Sequence, residues 1–276
     1  MSPRANRGVA RDRSRRDGQL RPTAMSITRS LFRLWVINVR IGWPERLRGL
    51  HYWLGWEYAA LSSTMRVGPG ATVVDIGSGA HSTWPYLLAH LRGVHVIATD
   101  IEPALTAQRR RRLRAERAGL LTRSSVSIVR CDARRLPFRT GAVDAVTAVS
   151  TIEHVRHAEG DRRAATEIAR ILESGGLAWL TVPYRSAGSM IELDDALQHF
   201  QRHYSPDTLD ASLLRPAGLI ETHRLLYGER LPFYDAMRRV PGKLRWAFRP
   251  WDTFLSMLLI HPTAHRDRAS AALLEV

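Results

Sequence analysis

Cysteine is almost missing from this chain of 276 residues: Cys131 stands alone. One thiol cannot close an intrachain disulfide, so a disulfide-stapled secreted scaffold is excluded. Lysine is just as scarce. Lys243 is the single example, and the other basic residues are all arginine. The formal net charge is +15 and the sequence pI about 11.2. So one-sided an arginine bias, beside so much alanine and leucine, reads first as the composition of a GC-rich genome. A polyanionic partner is the second reading. No run of about twenty apolar residues occurs, so no transmembrane helix is expected. No apolar core precedes Leu31, so no signal peptide is expected. A cytoplasmic location, at a membrane surface if the chain meets lipid, follows as the expectation. What is present suffices for a core, because hydrophobic residues make up 45% of the chain.

Residues 71–80, ATVVDIGSGA, organise the rest. Thr72 to Ile76 is β-branched and apolar, a strand buried on both faces as in a parallel sheet. Asp75, Gly77, Ser78 and Gly79 end it, and glycines there permit a sharp turn and close approach of a ligand. A helix signal follows, with Ser82 or Thr83 as cap, Pro85 in the first turn, and Tyr86, Leu87, Leu88 and Leu91 as its apolar face. A lone Gly-x-Gly is a weak signal. The second apolar run, VHVIATD (94–100), ends in Asp100 about one β-α-β unit later, where an acid holding a ribose hydroxyl belongs. A dinucleotide fingerprint requires glycine at position 82, which is Ser82.

The spacing Asp75-x-Gly77-x-Gly79 resembles the D-x-G-x-G-x-G motif of class I S-adenosylmethionine-dependent methyltransferases, the type 11-like domain among them. Position 81, where that family has a third glycine, is His81. The resemblance continues in order. CDARRLPF (131–138) is similar to the G-D-A-x-x-L-P-F segment, which implies that Asp132 accepts from the adenine amine with Ala133 behind the ring. Ser150-Thr151-Ile152-Glu153-His154-Val155 is similar to the E-H-V turn after the fourth strand. LESGGLAWLTVP (172–183) is similar to the family's fifth-strand segment. Five motifs in register over roughly 70–183 are a strong signal.

The resemblance implies a Rossmann-like α/β sheet of seven strands, with a helical N-terminal cap and a helical insertion before the last strand. It implies S-adenosyl-L-methionine as cofactor, held by Asp75, Gly77, Ser78, Gly79, Asp100, Ile101, Asp132, Ala133 and Ser150. His154 is the candidate general base and Glu153 its candidate orienting group; the other reading makes both structural. Tyr184, His199, Arg202 and Tyr204 are the candidates on the acceptor side. His199 and His203, four apart, could share a helix face, but no third ligand stands at a suitable spacing, so no metal site is expected.

Around this core, residues 1–24 read as a disordered basic tail and residues 25–66 as two helices of a cap, rich in tryptophan and arginine. The run Arg109-Arg110-Arg111-Arg112-Leu113-Arg114 reads as a solvated helix face. Residues 161–174 read as a helix capped by Asp161 and stopped by Gly175-Gly176. Residues 217–227 read as strand six and 268–276 as the last strand, leaving 228–267 as the helical insertion within a domain spanning 67–276. The expected activity is methyl transfer to a small-molecule, saccharide or lipid-linked acceptor, with possible peripheral membrane contact and no nucleic acid. The alternative is a non-catalytic domain that holds nucleic acid or an anionic membrane.

Overall fold

In the computed structural model the described residues are 29, 32–33, 36, 40, 57–58, 61–62, 67–79, 82–101, 105–122, 125–157, 159–185, 191–194, 200–227 and 254–260. Strand β1 (Thr72–Ile76) leads through the glycine turn into helix α1 (Trp84–Arg92) and strand β2 (His95–Asp100). Helix α2 (Leu105–Arg117) and strand β3 (Val126–Arg130) follow, then β4 (Val143–Val149), a 3-10 turn (Ile152–His154), helix α3 (Gly160–Ile171) and β5 (Leu172–Pro183). A small hairpin pairs β6 (Ile191–Asp194) with β7 (Phe200–His203). Helix α4 comprises Pro206–Leu209, a π-type turn Asp210–Leu214, and Arg215–Ala217; β8 (Ile220–Tyr227) and β9 (Phe254–Ile260) complete the described chain.

The sheet order is β3-β2-β1-β4-β5-β9-β8. The first five strands are parallel, while β9 runs antiparallel to both β5 and β8. Side chains alternate across the sheet, as a strand dictates. Val74 and Ile76 of β1 pack with α3 and α4 through Ala165, Ile168 and Leu213. Val73 packs on the other face with Trp84, Leu87 and Leu88 of α1, joined by Tyr58 and Leu61 from a helical segment upstream. Strand order reverses between β1 and β4, and such a point opens a crevice at the carboxyl ends of the strands.

Several expectations are corrected. The antiparallel place given to residues 268–276 is held by β9, inside the stretch read as a helical insertion. A seven-residue apolar run such as FLSMLLI has no periodicity that separates strand from helix; pairing with two neighbours decides. Residues 1–24, 228–253 and 261–276 lie outside the described residues. Helix α3 stops at Ile171, before the two glycines, because Leu172 turns extended and opens β5. Gly175 and Gly176 serve a bulge instead: the β4–β5 register shifts between Val143 and Ala145, and a Cβ at Gly176 would lie 2.9 Å from the Glu173 carbonyl oxygen. Asp161 does not cap α3. It is buried and accepts the Tyr204 hydroxyl proton at 3.0 Å. His203 lies on a strand, not a helix, and His199 lies outside the described residues. On α2, Arg111 is buried, so the arginine run is not wholly solvated. Among the described residues no helix is long and apolar enough to cross a membrane.

Candidate active site

The glycine turn after β1 is fixed from three sides. The Gly77 and Ser78 amides both donate to the Thr99 carbonyl of β2 at 2.9 Å. Gly77 has φ +73, and a Cβ there would lie 2.1 Å from Thr151 Cγ2, so only glycine lets the turn after β4 come this close. Gln108 of α2, buried, donates to the carbonyls of Ser78 and Gly79 at 3.2 and 2.6 Å. Its own Oε1 accepts the Tyr86 hydroxyl proton at 2.5 Å. Asp75 forms the floor. Its carboxylate accepts from Ser78 Oγ and Thr147 Oγ1, both at 2.6 Å, and Trp84 Nε1 donates to Thr147 Oγ1 at 3.3 Å. Burial pushes the Asp75 pKa up to about 6, with the Asp100 charge adding and the two hydroxyls opposing. Both Asp75 oxygens are therefore engaged in holding the turn.

Asp100, at the carboxyl end of β2, accepts the Gly79 amide proton on Oδ2 at 2.7 Å. Among the described residues a Cβ at Gly79 would meet nothing within 4 Å. Ile101 beside it is 53% exposed, an apolar shelf at the carboxyl edge of the sheet. Across from it, Asp132 follows β3, and Ala133 packs half-buried against the core. Arg134 grips Asp132 by a fork: Nε lies 3.0 Å from both carboxylate oxygens and Nη2 lies 2.6 Å from Oδ2. The guanidinium holds the Asp132 carboxyl below the ordinary range. An adenine amine reaching Asp132 would share it with Arg134. Burial pushes the Cys131 thiol up.

At the carboxyl end of β4, Ser150 takes a left-handed backbone, φ 46. Its amide donates to Thr181 Oγ1 at 2.8 Å and its hydroxyl to Glu57 Oε1 at 2.8 Å. Thr151 donates to the Ile76 and Val149 carbonyls at 3.1 and 3.0 Å, locking the two loops together. His154 then stands at the rim, 44% exposed. Its Nδ1 lies 2.6 Å from the Phe200 carbonyl oxygen. A carbonyl only accepts, so Nδ1 carries the proton and Nε2 of the neutral ring keeps its lone pair. Partial desolvation of the ring lowers the His154 pKa from its ordinary value, with the Phe200 carbonyl opposing. Glu153 is not the orienting group. Its Oε1 is 3.8 Å from His154 Nε2, beyond hydrogen-bond reach. Fully buried, with neither oxygen hydrogen-bonded among the described residues, it is pushed up to about 8.

The acceptor-side candidates turn inward. Arg202 is buried and donates to the Val155 and His157 carbonyls at 2.6 and 2.9 Å, its guanidinium lying 4.6 Å from the Phe200 ring centroid. Tyr184 and Tyr204 are buried in the core, and their backbones form a bridge at the end of β5. These three fasten the β6–β7 hairpin to the sheet and brace the loop that carries His154. Among the described residues no cluster of His, Cys, Asp and Glu could hold a metal ion. Sequence reading missed Glu57, Gln108, Thr147 and Thr151. A visible signal existed for two of them: an amide amid arginines at an inward position of α2, and an acid in the apolar stretch WEYAAL.

The comparisons agree with this geometry. A family model described as a methyltransferase domain matches residues 74–180. A curated relative from Mus musculus, named "Probable tRNA methyltransferase 9B", is 32% identical over 108 residues. That stretch is 39% of this chain and 21% of the relative, so the chain spans about a fifth of the relative's length. Among solved structures, the complex of the Haloferax volcanii Trm112 methyltransferase activator with its methyltransferase matches at TM-score 0.55 and 20% identity, covering 75% of this chain and 90% of that one. Geranyl diphosphate methyltransferase, solved with GPP and sinefungin, matches at TM-score 0.55 and 17% identity, covering 73% and 74%. At such identities the structures speak for the fold. Family match, strand order and glycine turn together support a class I methyltransferase domain around residues 74–180.

Proposed function

We propose that the chain moves a methyl group from S-adenosyl-L-methionine to a small-molecule, saccharide or lipid-linked acceptor. The observation that carries this is the switch point between β1 and β4, where the glycine turn ends with the Gly79 amide on Asp100 and, among the described residues, nothing within 4 Å of a Cβ at Gly79. The residues fit the cofactor: an acid for ribose hydroxyls (Asp100), apolar surface for a planar base (Ile101, Ala133), and an acid for an exocyclic amine (Asp132). When bound, the cofactor supplies a methyl group on a cationic sulfur, already activated for transfer. The protein's main task is then positioning, which supplies about 7–11 kcal/mol of a barrier. His154 Nε2, deprotonated and at the rim, takes the acceptor's proton, a contribution on the order of a hundredfold or more. The Phe200 carbonyl keeps the ring in that tautomer, and Arg202 braces the loop.

A second reading has its own observation. Arg109, Arg110 and Arg117 line the exposed side of α2, and the mouse relative's name refers to tRNA. An RNA acceptor would use such a face for phosphates. One experiment separates the readings. The protein is incubated with cell extract and methyl-labelled cofactor, and the label is traced to lipid, small-molecule or RNA fractions. Label in lipid or small molecules supports the first reading and label in RNA the second. No label in any fraction, with cofactor bound, supports the non-catalytic alternative.

A further inference from the structure

Asp132 stands where the adenine edge of the cofactor would lie, and its carboxylate is already engaged. The Cys131 amide donates to the Asp100 carbonyl at 3.0 Å, which anchors the segment bearing Asp132 to the end of β2. Residue 134 then closes on Asp132 with main chain and side chain together. Its amide donates to Oδ1 at 2.9 Å, its Nε lies 3.0 Å from both oxygens, and its Nη2 donates to Oδ2 at 2.6 Å. An ionised carboxylate offers about four lone-pair sites, and these contacts meet them. Both side chains are 29% exposed, so the pair is open to solvent and not sealed in the core. An exposed ion pair favours its closed form by about fivefold at most. Sequence spacing marked Asp132 and Ala133 and left position 134 without a role.

Resting on the cofactor reading above, we infer that Arg134 is a specificity-determining latch on the adenine subsite: its guanidinium competes with the adenine amine for Asp132 and releases a side-chain contact for the base to seat. The main-chain contact from residue 134 does not depend on the side chain, so Asp132 keeps its orientation when the latch opens. A base with an oxygen in place of the amine has nothing to donate to Asp132, and that oxygen is an acceptor for the guanidinium. The latch therefore narrows the difference between an adenine ligand and its hypoxanthine counterpart. A weak pair suits this role, because apparent affinity falls only by the fraction of molecules in which the site is open.

The test is calorimetric, on the full chain. Wild type and Arg134→Met, whose side chain has no donor, are titrated with two ligands. These are the demethylated product of S-adenosylmethionine and the same molecule carrying hypoxanthine in place of adenine. The variant should bind the adenine ligand about two- to fivefold more tightly and the hypoxanthine ligand no more tightly than wild type does. Unchanged or weaker binding of the adenine ligand overturns the inference. So does equal tightening of both ligands, which would make Arg134 an obstacle and not a competitor for the acid. A second measurement needs no variant. Salt screens an exposed pair, so in wild type the ratio of adenine to hypoxanthine affinity should rise as salt is raised; a flat or falling ratio overturns the inference. Binding of neither ligand by wild type would defeat the cofactor reading, and the inference with it, whereas binding without these shifts defeats the inference alone.

Discussion

Two neighbouring residues after β4 are shifted in opposite directions, and both shifts favour the neutral form. His154 is held below its ordinary pKa and is neutral, with its free lone pair on Nε2. As a base it works only when neutral, so turnover should rise with pH through that lowered value and then level. His154→Ala should cost about a hundredfold to ten-thousandfold in the rate of label transfer while leaving cofactor affinity unchanged. Equal rates for the two proteins would make the residue structural. Glu153 is raised from 4.5 to about 8 by burial. Between those values the native chain keeps a proton that the unfolded chain releases. Its stabilising contribution is therefore complete below the unfolded value and is lost as pH rises through the folded one. Glu153→Gln cannot ionise. Thermal melts should show it flattening the decline between pH 5 and 8 and raising stability at pH 9 by about 1–3 kcal/mol. Parallel curves for wild type and variant at all pH values would contradict this.

At the scale of elements, strands that continue a parallel sheet announced themselves. Thr72–Ile76, His95–Asp100 and Val143–Val149 are short apolar runs, each followed by turn residues, and they lie where the sequence puts them. Elements defined by partners did not. β9 reads as an amphipathic piece until β5 and β8 flank it, and the β6–β7 hairpin carries no alternation strong enough to declare two strands. The glycine turn and the acids beside it were legible because backbone geometry demands glycine and acid at fixed spacing. The acceptor side was not. Arg202, Tyr184 and Tyr204 have polar side chains, which sequence reading assigns to substrate, yet the fold uses them as internal braces. Gln108 shows the same logic in reverse, an unremarked amide that ties α2 to the glycine turn. Gln108→Ala removes the amide donor of the Ser78, Gly79 and Ser82 carbonyls, while the Tyr86 hydroxyl keeps the backbone carbonyl of residue 108. It should destabilise the fold by about 1–3 kcal/mol and weaken cofactor binding with it. A variant that melts and binds like wild type would remove Gln108 from the site.

Across the whole molecule, charge and fold point to different questions. The net charge of +15 concerns what the protein meets and says little about how it folds. The sheet order, with its reversal between β1 and β4, concerns where a ligand binds. The central claim, that this crevice holds S-adenosylmethionine, belongs to the second. Its most direct measurement is a calorimetric titration of the full chain with S-adenosylmethionine and, separately, with NAD. Saturable one-to-one binding of the first is predicted, with none of the second. Asp100→Ala should weaken it by about 1–3 kcal/mol, the effect of leaving ligand hydroxyls unpaired. Saturable NAD binding with no heat from S-adenosylmethionine would contradict the account.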